Sequence, residues 1–264
     1  MLTDPKSNRI KGVAKLAKKD ARSETGLFLL EGLQGLKEAL ARPKTILEIF
    51  ATEPAVAEHA ELFERVERAG VEMTLVDDRV MKAITDTQSP QGVLAVCYRI
   101  DVTLEQVLEA KPKLIALLSN IRDPGNAGTI LRAADAAGAD AVIFSDNSVD
   151  VYNPKVVRST TGSLFHLNVV LDADIAETIA AAKAAGLQVF AADGGGASLV
   201  SLDEATMSAP TMWVMGNEAW GFEEQTLKSV DRVVSLPIYG EAESLNLATA
   251  ASVCLYATAM AQNR

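Results

Sequence analysis

Apolar and polar positions in the first 100 residues follow two alternating patterns. Short apolar runs, each typical of a strand, are separated by stretches with helical spacing. The four apolar runs are GLFLLEG, ILEIFAT, VEMTLVD and GVLAVCYR, and a basic helix from about Arg9 to Lys19 precedes them. This alternation predicts a small α/β sandwich over residues 1–100.

The remainder of the chain has longer and more uniformly apolar runs. Residues 101–112 are polar and end in Pro112, which predicts a linker. The run KLIALLSN that follows is apolar almost throughout, as in a strand that is buried on both faces. Further strand and helix patterns alternate up to an Ala-rich helix from about Leu245. Residues 113–264 are therefore predicted to form a parallel α/β sheet of about five or six strands, with GGG at 194–196 as a flexible turn.

The composition is that of an ordinary globular protein. Apolar residues make up 48% of the chain and charged residues 23%, both within the usual range. No signal peptide is predicted, because no apolar run follows the basic N-terminus. No membrane span is predicted either, because polar residues interrupt the longest nearly uncharged stretch, Leu245 to Gln262. Cys97 and Cys254 lie in apolar segments and are expected to be buried thiols rather than disulfide or zinc ligands. A cytoplasmic location is expected.

Charge is distributed unevenly along the chain. The net charge is −10, yet residues 1–22 contain seven basic side chains and two acidic ones. Because phosphate contacts require clustered Lys and Arg, this segment is either an RNA-binding surface or an ordinary solvated helix face. The candidate RNA-binding residues here are Arg9, Lys15, Lys18, Lys19 and Arg22.

Three segments of unusual composition follow predicted strands of the second region. The first is SNIRDPGNAGTILRAADAAGAD, residues 119–140, in which a strand ends near Asn120 and a turn leads into a helix. Asn126 is suited to cap this helix, and Gly128 permits close approach of another backbone. Arg132 stands among apolar residues, so it is either a ligand-binding cation or a snorkelling or ion-paired residue.

The second segment is WVMGNEAWGF, residues 213–222. An apolar strand ends at Gly216, Asn217 and Glu218, and Gly221 follows. Glycine at this point lets a ligand lie against the backbone, and Glu218 places a carboxylate at the carboxyl end of the strand. The alternative is a plain strand–turn–helix junction with acidic residues at the helix N-terminus.

The third segment is LPIYGEAESLNLATAASVCLYATAMA, residues 236–261. A strand ends at Pro237, a loop carries Gly240, and Ser244 and Asn246 open a helix of small residues. Ser244 is suited to cap that helix. Because the helix is apolar around most of its circumference, it is expected to be packed on nearly all sides.

Together these segments resemble the three sequence motifs of the SpoU family of RNA methyltransferases. The matching residues are Asn126, Gly128, Arg132 and Ala134 in the first motif, Gly216, Asn217, Glu218 and Gly221 in the second, and Pro237, Gly240, Ser244, Leu245 and Asn246 in the third. The first region resembles the family's ribosomal-protein-like substrate-binding domain through SNRIKGVAKLAKK and FLLEG. Ala134, where the family often has Thr, and Asn168, where it often has Pro, depart from the pattern.

The resemblance implies a catalytic domain with a deep trefoil knot over residues 113–264. It also implies a homodimer with cofactor sites near the dimer contact, S-adenosylmethionine as the cofactor, and no metal. The implied cofactor contacts are Asp193, Gly216, Asn217, Leu236, Ile238 and Leu245.

The implied reaction is methyl transfer to a ribose 2′-hydroxyl, with Arg132 as the residue that activates the hydroxyl. A guanidinium holds its proton too firmly to be a good base, so Arg132 is expected to position an RNA phosphate and to stabilise the developing alkoxide. The residues expected to orient Arg132 and the cofactor are Asn126, Glu218, Ser244 and Asn246. Those expected to bind phosphate nearby are Lys155 and Arg158.

Ribosomal RNA is the expected substrate, because the two-domain layout with a basic N-terminal helix resembles the ribosomal-RNA branch of the family. A transfer-RNA 2′-O-methyltransferase and a non-catalytic RNA-binding or ribosome-assembly factor are the alternatives on the same fold. The non-catalytic alternative predicts a degraded cofactor site, whereas Gly216, Glu218, Ser244 and Asn246 are all present. A nucleotide-cofactor enzyme on an ordinary doubly wound sheet is disfavoured, because DPGNAG lacks the spacing of a glycine fingerprint.

Overall fold

The computed structural model describes residues 1–264 and divides into two compact units. Unit 1 contains Met1–Ile100 and Asp150–Phe165, and unit 2 contains Asp101–Val149 and His166–Arg264. The sequence predicts one division at residues 101–112, whereas in the structure Asp150–Phe165 interrupts unit 2 and belongs to unit 1. Each unit is therefore built from two separate stretches of chain.

The first 100 residues form four strands and six helices. In chain order the elements are α1 (Asn8–Lys15), α2 (Lys19–Thr25), β1 (Leu27–Glu31), α3 (Leu33–Ala39), β2 (Ile46–Ala51), α4 (Glu53–Glu58), α5 (Ala60–Arg68), β3 (Met73–Leu75), α6 (Asp78–Ile84) and β4 (Val93–Tyr98). The strands lie in the order β1-β4-β2-β3, with β2 and β3 parallel and the other neighbours antiparallel. The predicted α/β sandwich is confirmed.

The predicted basic helix is two helices with a break between them. Its first part, α1, buries Ile10 and Val13, and the chain turns before α2 begins at Lys19. This turn brings Arg22 into the interior of unit 1, where its Nη1 donates a hydrogen bond to the carbonyl oxygen of Leu16 at 2.8 Å. The basic surface is thus carried on a bent segment rather than on one straight helix.

The returning segment Asp150–Phe165 completes the core of unit 1. The Phe28 ring on β1 packs against Tyr152, with ring centroids 4.7 Å apart, and against Phe165 at 6.3 Å. All three rings are buried, and the Tyr152 hydroxyl accepts a hydrogen bond from the Ile100 N–H at 2.8 Å. Aromatic pairs at these distances bury large apolar areas and stabilise a core.

The rest of the chain forms a six-stranded sheet and seven helices. In chain order the elements are α7 (Leu104–Glu109), β5 (Leu114–Leu118), α8 (Pro124–Ala136), β6 (Ala141–Ser145), α9 (Pro154–Thr160), β7 (Asn168–Ala173), α10 (Ile175–Ala184), β8 (Gln188–Ser198), α11 (Glu204–Ser208), β9 (Thr211–Met215), α12 (Glu224–Ser229), β10 (Arg232–Ser235) and α13 (Leu247–Gln262). Of these, α9 belongs to unit 1. The strand order is β10-β8-β9-β5-β6-β7, all parallel. Every residue of β5, β6 and β9 is buried, as the apolar runs predict.

The segment predicted as a linker contains α7. Thr103 and Gln106 form a capping box at its start, with reciprocal hydrogen bonds of 3.2 and 2.9 Å. Val107 is buried in the core of unit 2, with Val102 and Leu104 packed beside it. The pattern TLEQ is a helix-start signal, so the polar appearance of this segment reflects one solvated helix face.

The glycine tract at 194–196 lies within β8 and is not a turn. Pairing with β10 shifts register between Val233, opposite Ala191, and Val234, opposite Ala197, so the residues between bulge out of the ladder. A Cβ on Gly196 would collide with the backbone of Val233. The glycine is therefore required by a close approach of two backbones.

The last helix is less enclosed than predicted. Ala248, Ala251 and Leu255 on α13 are buried, whereas Val253, Tyr256 and Met260 expose 42%, 41% and 59% of their surface. Its apolar circumference is thus only partly covered within the chain. No helix of the protein has both the length and the hydrophobicity that crossing a bilayer requires.

Candidate active site

A cavity of about 520 Å³ opens in unit 2 where strands β8, β9 and β10 end. Ligands of open α/β sheets bind at the carboxyl ends of strands, and all three motif segments reach this cavity. Its lining residues are Asn126, Ala192, Asp193, Gly194, Asn217, Glu218, Gly221, Val234, Leu236, Ile238, Glu243, Ser244, Leu245, Asn246, Leu247 and Ala250.

A hydrogen-bond network joins one residue from each motif at the cavity. The Asn126 Nδ2 donates to Glu218 Oε1 at 3.3 Å, and the Asn246 Nδ2 donates to Asn126 Oδ1 at 3.0 Å. Glu218 also accepts hydrogen bonds from the backbone N–H groups of Arg122 and Asp123 at 3.4 and 3.3 Å. These hydrogen bonds fix the relative positions of residues that are separated by 92 and 120 positions in the sequence.

The residues that cap α8 and α13 differ from those predicted, and the change at α8 leaves the Asn126 side chain free for the network. Asp123 caps α8 by accepting from the Asn126 N–H at 2.7 Å, so Asn126 lies inside the first turn and its amide is available to the cavity. Asn246, rather than Ser244, caps α13, because its Oδ1 accepts from the N–H of Ala248 and of Thr249. Ser244 is exposed and lines the cavity.

The loop after β9 is held rigidly. The Asn217 side chain is buried and donates to the carbonyl oxygen of Asn120 at 2.6 Å, while its Oδ1 accepts from the Ala219 N–H at 2.8 Å. Two backbone hydrogen bonds, of 2.8 and 2.9 Å, pair Asn217 with Gly221. Gly216 does not line the cavity; a Cβ there would lie 2.9 Å from the carbonyl oxygen of Gly221. Glycine at 216 thus permits the turn that presents Glu218.

The other predicted cofactor residues give the cavity both charged and apolar surface. Asp193 is brought to the cavity by the bulge in β8, and its Oδ1 accepts from the Gly195 N–H at 2.9 Å. Leu236, Ile238 and Leu245 supply apolar surface, and Ile238 and Leu245 each expose 39%. The cavity therefore combines an apolar wall with the carboxylates of Asp193 and Glu218 and of Glu243, which the sequence analysis does not single out.

Arg132 lies on α8 but does not line this cavity. It is exposed, and its guanidinium makes no hydrogen bond or ion pair within the chain. It follows Asn126 by six residues, which is about 9 Å along a helix axis. Asn126, Glu218, Ser244 and Asn246 form no hydrogen bond or ion pair with its guanidinium, and the orienting of Arg132 and the cofactor by these residues stays a prediction.

The predicted RNA-binding side chains of unit 1 fall into two groups. Lys15, Lys18, Lys19 and Lys155 are exposed and free of ion pairs. Arg9 is half-exposed, and its hydrogen bond to Glu48 at 2.5 Å raises the pKa of the guanidinium. The lysines are thus available to an anionic ligand, whereas Arg9 is already engaged.

Arg22 and Arg158, which are predicted to contact RNA, are engaged by carboxylates of unit 1 instead. Arg22 is 3% exposed and its Nη2 lies 2.5 Å from Asp150 Oδ2. Arg158 bonds the buried Glu31 at 3.4 Å and Asp86 at 3.0 Å, beside a second cavity of about 320 Å³ in unit 1. Neither guanidinium is a free phosphate ligand, because each neutralises carboxylates that the fold holds.

Two neighbouring residues escape the sequence analysis. The Arg122 guanidinium lies 5.0 Å from the ring centroid of Trp220, and both residues are exposed. The signal that could have found them is a basic residue and an aromatic residue within the first and second motif segments. The structure contains no group of three His, Cys, Asp or Glu side chains that could hold a metal ion.

Comparison with known proteins gives consistent results for both regions. A model of the SpoU rRNA Methylase family matches residues 113–256, and a model of the MRM3-like substrate binding domain matches residues 7–95.

Similar proteins extend over nearly the whole chain. The chain is 33% identical to the Bacillus subtilis 23S rRNA (guanosine(2553)-2′-O)-methyltransferase RlmP, over 95% of this chain and 96% of that protein. It is 29% identical to the 23S rRNA (uridine(2479)-2′-O)-methyltransferase of Streptomyces viridochromogenes, over 92% and 86%. The crystal structure of an AdoMet-bound rRNA methyltransferase from Sinorhizobium meliloti matches with a TM-score of 0.84 and 29% identity, over 97% and 96%.

Proposed function

Since the chain belongs to the SpoU rRNA methylase family, we propose that it transfers the methyl group of S-adenosylmethionine to a ribose 2′-hydroxyl of 23S ribosomal RNA. The observation that carries this proposal is the Asn126–Glu218–Asn246 network, which assembles all three motifs around one cavity. Two similar proteins are named as 23S rRNA 2′-O-methyltransferases, one for a guanosine and one for a uridine. Ribosome assembly would place this activity in the cytoplasm.

The cavity fits the cofactor chemically. Leu236, Ile238 and Leu245 offer apolar surface to the adenine and ribose carbons, and the carboxylates of Asp193 and Glu218 favour a positively charged sulfonium. Small-molecule sites are commonly apolar cavities of this size with a few convergent polar groups. When bound, S-adenosylmethionine supplies an electrophilic methyl carbon.

In the proposed reaction the ribose oxygen forms a bond to the methyl carbon while the carbon–sulfur bond breaks. The hydroxyl proton is released to solvent, and the sulfur leaves as a neutral thioether. One contribution of the protein is alignment of the two reactants, which is worth on the order of 7–11 kcal/mol in favourable cases. Glu218 and Asn126 hold the loop and the helix start at fixed positions for this purpose.

Arg132 is proposed to bind the RNA phosphate beside the target ribose and to stabilise the developing alkoxide. Its guanidinium is exposed and engaged by no carboxylate of its own chain. A free guanidinium can form bidentate hydrogen bonds with phosphate. It retains its proton throughout, so its action is electrostatic.

The protein is further proposed to act as a homodimer that pairs through α13. Thr249, Val253, Tyr256 and Met260 are all exposed, and their spacing of four, three and four residues places them on one helix face. An apolar face of this kind is covered by an isologous contact in a symmetric dimer. In analytical ultracentrifugation, the double variant Val253→Glu with Met260→Glu should sediment as a monomer. The control variant Val200→Glu, at an exposed position outside α13, should sediment with the mass of the dimer. A monomeric wild-type protein would contradict the dimer.

The activity is tested by mapping ribose methylation in ribosomal and transfer RNA from cells with and without the gene. One ribosomal ribose should lose its methyl group and regain it on complementation with the wild-type gene but not with Glu218→Gln. Calorimetry with the purified protein should show S-adenosylmethionine binding. Unchanged ribosomal RNA, together with loss of a transfer-RNA methyl group, would overturn the proposed substrate. Absence of any cofactor binding would overturn the activity itself.

A further inference from the structure

The two tryptophans of the chain are in opposite environments. Trp213 on β9 is fully buried, and its indole N–H donates to the Thr258 hydroxyl at 2.9 Å. Trp220 is 52% exposed, and its indole N–H has no hydrogen-bond partner in the chain. Because an exposed indole forfeits a large hydrophobic gain, an exposed tryptophan close in sequence to cavity-lining residues is typical of a binding surface.

Trp220 is held in place by the same turn that positions Glu218. Residues 217 and 221 are joined by two backbone hydrogen bonds, and Glu218 and Gly221, on either side of Trp220, both line the cavity. The backbone that carries the indole is therefore anchored beside the proposed methyl-transfer site. A rigid turn also lowers the entropy lost when a ligand contacts this ring.

Arg122 is fixed against this indole by a cation–π contact. Its guanidinium lies 5.0 Å from the ring centroid and forms no hydrogen bond or ion pair. Its backbone N–H is bound to Glu218 Oε2, so the residue is anchored while its side-chain N–H groups are unused. Residues 113–264 carry a net charge of −8, and an uncompensated guanidinium in this acidic region favours an anionic ligand.

From this geometry, and resting on the proposed function, we propose that Arg122 and Trp220 form a binding site for an unpaired nucleotide adjacent to the methylated ribose. The base of that nucleotide stacks on the exposed indole, and its phosphate is bound by the guanidinium. Aromatic and guanidinium groups are the usual partners of unstacked bases in single-stranded RNA. Because every base has a π-face, the site imposes no particular base. Because only an unpaired base can leave its stack, the site favours an exposed loop over a duplex.

Kinetics of the full-length protein on an unmodified 23S rRNA transcript test this site. Trp220→Ala should raise the KM for RNA by roughly 5- to 140-fold, the range expected for the loss of one stacked base, and change kcat by less than about twofold. Trp220→Phe should restore most of the affinity, because it keeps an aromatic face. Arg122→Ala should also raise KM, and Val200→Ala, which truncates another exposed apolar residue, should leave KM unchanged.

Tryptophan fluorescence gives a readout that does not depend on activity. The RNA transcript should quench Trp220 emission, and the quenching should disappear in Trp220→Phe, where only the buried Trp213 remains. Unchanged emission on RNA binding, or a fall in kcat at constant KM, would overturn the site. Emission that changes with protein concentration in the absence of RNA would instead assign Trp220 to a subunit contact. If the wild-type protein fails to bind S-adenosylmethionine, the proposed function fails, while quenching still decides whether RNA stacks on Trp220.

Discussion

The arginines that are candidates for RNA contact differ between the two units. In unit 1, Arg9, Arg22 and Arg158 are all engaged by carboxylates. In unit 2, Arg122 and Arg132 are exposed and bound to no carboxylate. Every member of both sets is an arginine with the same single charge, so sequence composition does not distinguish them.

Under the proposed function, the difference separates the arginines that are free to contact RNA from those already engaged by carboxylates. A guanidinium that neutralises a buried carboxylate cannot turn to a phosphate without leaving an uncompensated charge behind. In unit 1 the proposed RNA contacts are therefore made by ion-pair-free lysines, among them Lys15, Lys18 and Lys19 of the bent basic segment. In unit 2 Arg132 lies on α8 and Arg122 on the turn before it, close in sequence to Asn126, which lines the cavity. Substitutions in the two sets should therefore have separable effects.

The largest effect is expected for Arg132→Ala. Loss of an electrostatic group that acts in the transition state should lower methyl transfer by about 100- to 1,000-fold, while calorimetry should show nearly unchanged S-adenosylmethionine binding. Tritium transfer from the labelled cofactor measures the rate. Arg264→Ala, another exposed arginine of unit 2, serves as the control. Wild-type activity in the Arg132 variant would remove this residue from the mechanism.

Arg22→Ala should act on stability. It leaves Asp150 without its partner in a largely buried position, and breaking such a pair costs about 3–5 kcal/mol. Denaturant unfolding should show this loss. The control is Arg68→Ala, since Arg68 and Glu64 form an exposed pair worth less than about 1 kcal/mol. A stable Arg22 variant with weakened RNA binding would reverse the assignment made for Arg22.

Substitution of the lysines in the basic segment should weaken RNA binding without changing the stability of the protein. Replacing Lys15, Lys18 and Lys19 by Ala should weaken RNA binding and flatten the slope of log affinity against log salt by about 2 to 3. Fluorescence anisotropy at several salt concentrations measures this slope. The matched control replaces Lys37, Lys44 and Lys82, three other exposed lysines of unit 1. Equal slopes in the two variants would make the basic segment an ordinary solvated surface.

The smallest effect concerns the two thiols, which report on each unit separately. Cys97 lies in the core of unit 1 and Cys254 in that of unit 2. Burial raises the pKa of both, that of Cys254 to about 12, so alkylation of the native protein near about pH 8 should be very slow. Mass spectrometry should find Cys97 labelled first in the Arg22→Ala variant. Simultaneous labelling of both thiols would indicate that the units open together.

The sign of the pH effect follows from the same burial. An unfolded thiol loses its proton above its ordinary pKa of 9.0, whereas the folded Cys254 keeps its proton until about pH 12. Because the unfolded state then binds fewer protons, stability should fall as the pH rises across this window and should be unaffected by these thiols below it.

Much of the fold follows from apolar periodicity. The buried strands β5, β6 and β9 are predictable because uniformly apolar runs need cover on both faces. The break between α1 and α2 is not, because it depends on the tertiary position of Arg22. Likewise, the place of Asp150–Phe165 in unit 1 depends on long-range packing against Phe28, which no local pattern reports. The knotted path implied by the family resemblance is equally invisible to periodicity.

The candidate site is partly predictable for a similar reason. Strand-end positions predict that Asn126, Glu218 and Asn246 come close together, and the structure joins them by hydrogen bonds. Which residue caps each helix is decided by loop geometry, and this choice releases the Asn126 amide. The exposure of Arg132, and the engagement of Arg158 by Glu31, are properties of charge neighbours that only the folded chain reveals.

The return of residues 150–165 to unit 1 has a consequence for biosynthesis. A nascent chain that has emerged only to Ile100 carries Phe28 but lacks Tyr152 and Phe165, the rings that cover it. Strands β5 and β6 are therefore translated while this apolar patch is still open, and the first unit closes only when residue 165 leaves the ribosome. We therefore expect unit 1 to complete its core only after part of unit 2 has been synthesised, and a fragment that ends at residue 100 to leave the Phe28 face uncovered.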